Sequence, residues 1–164
     1  MRRAAAKGGL VLLLLLLVAG LAGCGAPVVD AGWSALGAGA GRLYVGLAGK
    51  FTAVDPASAN AVWQYPEKEQ LGGFYGAPVL AEGRVIFAAS DVAGHTSQVY
   101  SLSAETGQDS QVLVSDLKEL IIGAPAVYGD TLYVTSADGN VYVRDLKGGE
   151  TRLLVRADGP IWGS

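Results

Sequence analysis

Few side chains in this sequence can do covalent or metal chemistry: there is one cysteine, Cys24, and one histidine, His95. A lone thiol excludes an internal disulfide, a zinc site built on a cysteine pair and a dithiol redox motif. What Cys24 offers is a single nucleophilic sulfur directly behind Leu21-Ala22-Gly23. Upstream, Arg2, Arg3 and Lys7 form a basic segment with no acidic residue nearby, and Leu10 to Val18 is an unbroken apolar run. Basic, then apolar, then small is the order of an export signal, helical in its apolar part, with its cleavage site at the small residues. The run is too short for an ordinary spanning helix, which needs about 20 apolar residues.

The remaining candidates have local explanations. His95 has neither a second histidine nor a cysteine pair to share a metal, so a solvated loop histidine is expected. Asp91, Asp138 and Asp145 are dispersed among turn residues, where aspartate bonds its own backbone. Glu67, Lys68 and Glu69 read as a solvated connector. No nucleophile pairs with a histidine, no glycine pattern cradles phosphate, and no carboxylate pair has a recognisable spacing, so no catalytic, cofactor-binding or metal residue is assigned. Without residues 1–23 the chain has nine basic against fifteen acidic residues, a net charge near −6. Such a chain lacks the clustered Lys and Arg that nucleic-acid binding requires.

The elements that position these residues follow a repeat. Trp33-Ser34-Ala35, Tyr75-Gly76-Ala77, Ile122-Gly123-Ala124 and Trp162-Gly163-Ser164 each place one bulky residue before two small ones, at steps of 42, 47 and 40 residues. A period near forty residues is the size of one four-stranded propeller blade. Between the copies lie short runs rich in β-branched and aromatic residues, bounded by Gly, Pro, Asp and Ser, which are strand signals. In the first unit they are Leu43-Tyr44-Val45, Phe51 to Val54 and Ala61 to Tyr65; in the second, Val79 to Ala81, Val85 to Ala89, Gln98 to Leu102 and Gln111 to Val114. In the third they are Thr131 to Ser136, Asn140 to Val143 and Thr151 to Val155, with Asp138-Gly139 as a tight hairpin turn. Asp91 to Ser97 reads as a longer hairpin loop protruding from one rim, and Ser115 to Leu120 as one helical turn.

Strands of a blade converge on the axis, so Gly76-Ala77 and Gly123-Ala124 suit the crowded innermost strand. Pro78 and Pro125 are accepted there because that strand is an edge. Tyr75, Ile122 and Trp162 are expected between neighbouring blades. The fold class is all-β, a partial propeller of about three four-stranded antiparallel blades. The domain division is signal peptide 1–23, tether 24–32 and repeats 33–164. A propeller needs at least four blades, so the chain is expected to be truncated, with partial rings that assemble as the alternative.

Two resemblances add to this. Leu21-Ala22-Gly23-Cys24 resembles the lipobox of bacterial lipoproteins, which implies diacylglycerol on the Cys24 thiol, cleavage before it and an exported chain anchored to the cell membrane or the outer membrane. Several acyl chains on one residue hold stably, whereas one is marginal. The alternative is a simple secretory peptide with an incidental cysteine. The repeats resemble the PQQ-like (quinoprotein dehydrogenase-like) β-propeller family. The likeness rests on Gly76-Ala77-Pro78 with Val85-Ile86-Phe87, on Gly123-Ala124-Pro125 with Leu132-Tyr133-Val134, on Asp138-Gly139-Asn140-Val141-Tyr142, and on Val54-Asp55 through Val62-Trp63. With the lipobox in front, the nearest subgroup is the propeller lipoproteins of outer-membrane assembly. That likeness implies a non-catalytic scaffold for protein or peptide partners. In the quinone-binding enzymes of this fold the cofactor is covered by a vicinal disulfide, which one cysteine cannot form, so no cofactor is expected. A fragment of such a dehydrogenase and a ligand-sensing or polysaccharide-binding propeller are the competing readings; the latter requires Trp33, Tyr44 or Trp63 to line a groove.

Overall fold

A computed structural model describes residues 32–33 and 36–163. The expected signal helix and Leu21, Ala22, Gly23 and Cys24 lie outside the described residues, as do Ser34, Ala35 and Ser164. The described chain is twelve strands in three antiparallel sheets of four, each a sequential meander. Blade 1 holds β1 (Leu36–Gly39), β2 (Arg42–Leu47), β3 (Lys50–Val54) and β4 (Ala61–Tyr65). Blade 2 holds β5 (Val79–Ala81), β6 (Arg84–Asp91), β7 (Thr96–Ser103) and β8 (Gln111–Leu117). Blade 3 holds β9 (Ala126–Tyr128), β10 (Thr131–Thr135), β11 (Asn140–Asp145) and β12 (Arg152–Arg156).

The alternation of side chains along a strand sorts residues to the two faces of each blade. On β6, Val85, Phe87 and Ala89 join Tyr44 and Phe51 of blade 1 in one core cluster. Ile86 and Ala88 join Leu132 and Val134 of blade 3 in a second. Blade 2 is therefore buried on both faces, which is why β6 reads as a nearly continuous apolar run. Burying a Val, Leu, Ile or Phe side chain stabilises by roughly 1.5–3 kcal/mol, so these two seams hold the blades together.

Five expectations are corrected. Ser115 to Leu117 continue β8 as strand rather than turning helically, because Leu117 pairs with Ser97 and its side chain is buried between blades. The insertion in blade 2 is mostly strand: Ser90 pairs with Ser97 and Asp91 with Thr96, leaving only residues 92–95 as loop. The two serines explain the extension. Both are buried, and their hydroxyls accept from the Ile121 backbone N–H at 3.2 and 3.1 Å, while Ser97 Oγ donates to Glu119 O at 2.8 Å. The long hairpin thus grips the connector to blade 3.

The Gly-Ala-Pro segments lie just before the innermost strands β5 and β9, not within them. Tyr75, Ile122 and Trp162 do not fill the space between blades. Their predecessors Phe74 and Ile121 do, with 3 % and 1 % exposure, whereas Trp162 is 70 % exposed. Phe74 fits because Gly46 faces it: a Cβ there would lie 2.2 Å from the ring.

The hairpins at residues 40–41, 48–49 and 82–83 are two-residue turns with both residues at positive φ. That geometry matches strand twist and favours glycine, which each turn has second. At Asp138-Gly139 only the glycine has positive φ, and the Gly139 N–H bonds Ser136 O at 3.0 Å, so the connection is longer than a two-residue turn.

Candidate functional site

Strand β4 is the outer edge of blade 1, paired with β3 on one side only. Beside it a cavity of about 700 Å³ runs between residues 61–67 and residues 106–110 of the blade 2 turn that joins β7 to β8. The site is built from Trp63 outwards. Its indole packs on Phe51 and Tyr44, with ring centroids 6.2 and 5.9 Å apart, and lies against Gly107. Gly107 holds φ +69° in the turn, and a Cβ there would lie 2.5 Å from the indole.

Three donors from blade 1 converge on one carbonyl of blade 2. Ala104 O accepts from Tyr44 Oη at 3.1 Å, Arg42 Nη1 at 3.2 Å and Trp63 Nε1 at 3.3 Å. Arg42 Nη1 also donates to Glu105 O. Burial pushes the Tyr44 hydroxyl pKa above its ordinary value, with Arg42 opposing the shift. Tyr100 is raised likewise by burial and by Tyr65 beside it. In the turn between β3 and β4, the Asp55 carboxylate accepts the backbone N–H groups of Ala57 at 2.7 Å and Ser58 at 3.3 Å and is held below the usual carboxylate range by those bonds. No signal in the sequence marks the Ala104 carbonyl as a hub. The nearest is Thr106-Gly107, the turn that receives the indole.

Chemically this groove offers a half-paired strand, whose outward N–H and C=O groups can bond an extended chain, over an aromatic floor. A second, smaller cavity of about 240 Å³ lies where the four bulky-small-small copies converge, with Trp33, Tyr75, Ile122 and Trp162 around glycine and alanine backbone. Trp33 meets Tyr75 edge to face at 5.5 Å, and Trp33 is 69 % exposed. The small residues are required because the connectors touch: a Cβ on Gly76 would lie 2.2 Å from Gly123 O.

Of the aromatic residues proposed to line a groove, Trp33 borders the smaller cavity and Trp63 the larger, while Tyr44 is buried. His95 sits at φ +49° in the residue 92–95 loop, and among the described residues no three His, Cys, Asp or Glu cluster to hold a metal. The three turn aspartates serve their own backbones: Asp91 accepts from Gly94 N at 3.0 Å, Asp138 from Asn140 N at 3.1 Å and Asp145 from Lys147 N at 2.8 Å.

A family model described as outer membrane protein assembly factor BamB matches residues 20–154. Among solved structures the chain is similar to BamB from Moraxella catarrhalis, with 22 % identity, TM-score 0.54, and 72 % of this chain over 35 % of that one. It is also similar to PorZ, a surface component of the type-IX secretion system of Porphyromonas gingivalis (18 % identity, TM-score 0.52, 76 % of this chain, 16 % of that). A europium-containing methanol dehydrogenase matches with 22 % identity and TM-score 0.50 over 78 % of this chain and 27 % of that. These likenesses establish the propeller fold. The chain spans about a third of the BamB structure's length. No curated protein matches.

Proposed function

Because the chain belongs to the family of outer membrane protein assembly factor BamB, we propose that it is a non-catalytic, lipid-anchored propeller scaffold that binds protein or peptide partners in the cell envelope. Residues 1–23 export it, Cys24 carries the lipid, and the repeats are held on the periplasmic or extracytoplasmic face. The single observation that carries the binding role is the groove along β4, an open sheet edge over Trp63 with polar rims at Gln64, Glu67, Gln108 and Asp109. A photo-crosslinking residue at exposed Gln64, irradiated in cells, should give an adduct of discrete mass with an envelope protein. The same residue at Glu150 serves as control. No adduct at either Gln64 or Gln108 overturns the reading.

A fragment of a quinone enzyme of this fold is the competing reading; among the described residues those lining the cavity between Trp33, Tyr75, Ile122 and Trp162 carry no charged side chain to pair with a cofactor's carboxylates. A sugar-binding role is supported by the two exposed indoles at that cavity, Trp33 and Trp162. Envelope oligosaccharides that quench tryptophan emission saturably, and fail to do so in Trp162→Ala, would favour it.

A further inference from the structure

We propose that the groove along β4 takes an extended cationic peptide segment, with lysine or arginine at alternate positions; this rests on the reading of β4 as a binding edge and names what that edge selects. The groove lies between blades 1 and 2, both of which have all four strands among the described residues.

The backbone sets the register. The two-residue turn at residues 48–49 makes Leu47 and Lys50 a hydrogen-bonded pair, and such pairs alternate along antiparallel strands. Phe51 and Ala53 therefore direct their N–H and C=O groups to Tyr65 and Trp63 on β4. Gln64, between those two, directs its own outward, and Pro66, which has no N–H, ends the row. An added strand thus pairs at Gln64 through two hydrogen bonds.

The same register decides which ligand side chains enter the groove. Trp63 and Tyr65 face blade 2, where the indole lies against Gly107 and the phenol meets the Tyr100 ring with centroids 6.0 Å apart. Residues opposite one another across a strand pair share a face. The ligand residue opposite Gln64 therefore turns away from blade 2, and its two neighbours enter beside Trp63 and Tyr65.

What those two side chains meet is aromatic and anionic. The lining residues include Glu67 on one wall and Asp109 on the other, both exposed, and no lysine or arginine. Among the described residues neither carboxylate forms an ion pair: Lys50 Nζ donates to the Pro66 carbonyl, and Arg84 reaches Asp109 only at its carbonyl, at 2.6 Å. A cation over an indole or phenol face is attracted by the ring quadrupole. Between Glu67 and Asp109 it also meets opposite charge on both sides. Because the backbone offers a single pairing station, selection falls to these side chains.

The test is fluorescence anisotropy on the full chain in detergent solution, with short labelled peptides that alternate threonine with arginine, with leucine or with glutamate. The arginine peptide should bind saturably and roughly fivefold tighter than the leucine peptide, and the glutamate peptide should not bind. N-methylation of the threonine amides, which face Gln64, should weaken the arginine peptide about tenfold, whereas methylation of its arginine amides, which face solvent, should not. Glu67→Gln with Asp109→Asn should weaken it roughly five- to tenfold. Glu150→Gln with Asp158→Asn makes the same change of charge on exposed residues of the blade 3 side and should leave binding unaltered. A leucine peptide that binds as tightly as the arginine peptide overturns the cationic assignment and leaves the β4 edge standing; failure of every peptide overturns both. Equal weakening by the two pairs of substitutions, or indifference to threonine methylation, also overturns the proposal.

Discussion

The indole of Trp63 in blade 1 rests on Gly107 in blade 2, and its Nε1 donates to the Ala104 carbonyl three residues earlier at 3.3 Å. This one contact couples the outer strand of one blade to a turn of the next and forms the floor of the β4 groove. Gly107→Ala should therefore destabilise by roughly 2–4 kcal/mol, combining the left-handed backbone cost with displacement of a packed ring. Urea unfolding measures the loss, and tryptophan emission should report a more solvated indole in the native baseline. A variant as stable as the wild type would show that the ring yields freely.

Tyr44→Phe removes one of three donors to Ala104 O and leaves the carbonyl satisfied by Arg42 and Trp63. The cost at neutral pH should be about 0.5–1.5 kcal/mol, that of an ordinary hydrogen bond. The pH dependence follows from burial of the hydroxyl. Its native pKa is raised, so the unfolded chain ionises first, near pH ~10. Stability present below that pH is lost as pH rises through the native value. Alkaline unfolding should be shallower in Tyr44→Phe, with Tyr100, also raised, supplying the remainder.

The hydroxyls of Ser90 and Ser97 lie 2.7 Å apart, and both face the Ile121 N–H. Ser90→Ala and Ser97→Ala should each cost about 1 kcal/mol, since the other serine still accepts that bond. The double variant orphans a buried donor and should lose about 1–3 kcal/mol beyond the sum. A thermodynamic cycle from equilibrium unfolding measures this, and strict additivity would mean that one serine alone carries the contact.

Cys24→Ala should abolish incorporation of labelled lipid and release the protein from membranes. Metabolic labelling followed by fractionation reads both. Membrane retention together with undiminished label would remove the anchor from the proposed function.

How much of this was legible in the sequence differs from element to element. The strand segments Ala61 to Tyr65 and Val79 to Ala81 coincide with β4 and β5, because flanking Asp, Pro, Gly and Ser break the chain on both sides. The insertion in blade 2 reads as a loop in the sequence, because Ser90 and Ser97 are polar and nothing local reveals that a connector 31 residues beyond Ser90 and 24 beyond Ser97 will bond them. The close approach of the connectors at Gly76 and Gly123 was implicit in the repeated small residues, whereas the Ala104 hub was not, since a backbone carbonyl carries no sequence mark.

From its residues alone this chain declares a propeller: the recurrence of bulky-small-small copies near every forty positions, and strands short enough to be blade strands, follow from local propensity and spacing. What only the assembled structure decided is phase. Phe74 and Tyr75 are both bulky and adjacent, as are Ile121 and Ile122, and in an extended chain neighbours point to opposite sides. Spacing gives the period of burial, but the choice between two apolar neighbours falls to the partner surface. The room above Gly46 admits the Phe74 ring, so Tyr75 is left to border the cavity where the repeats converge.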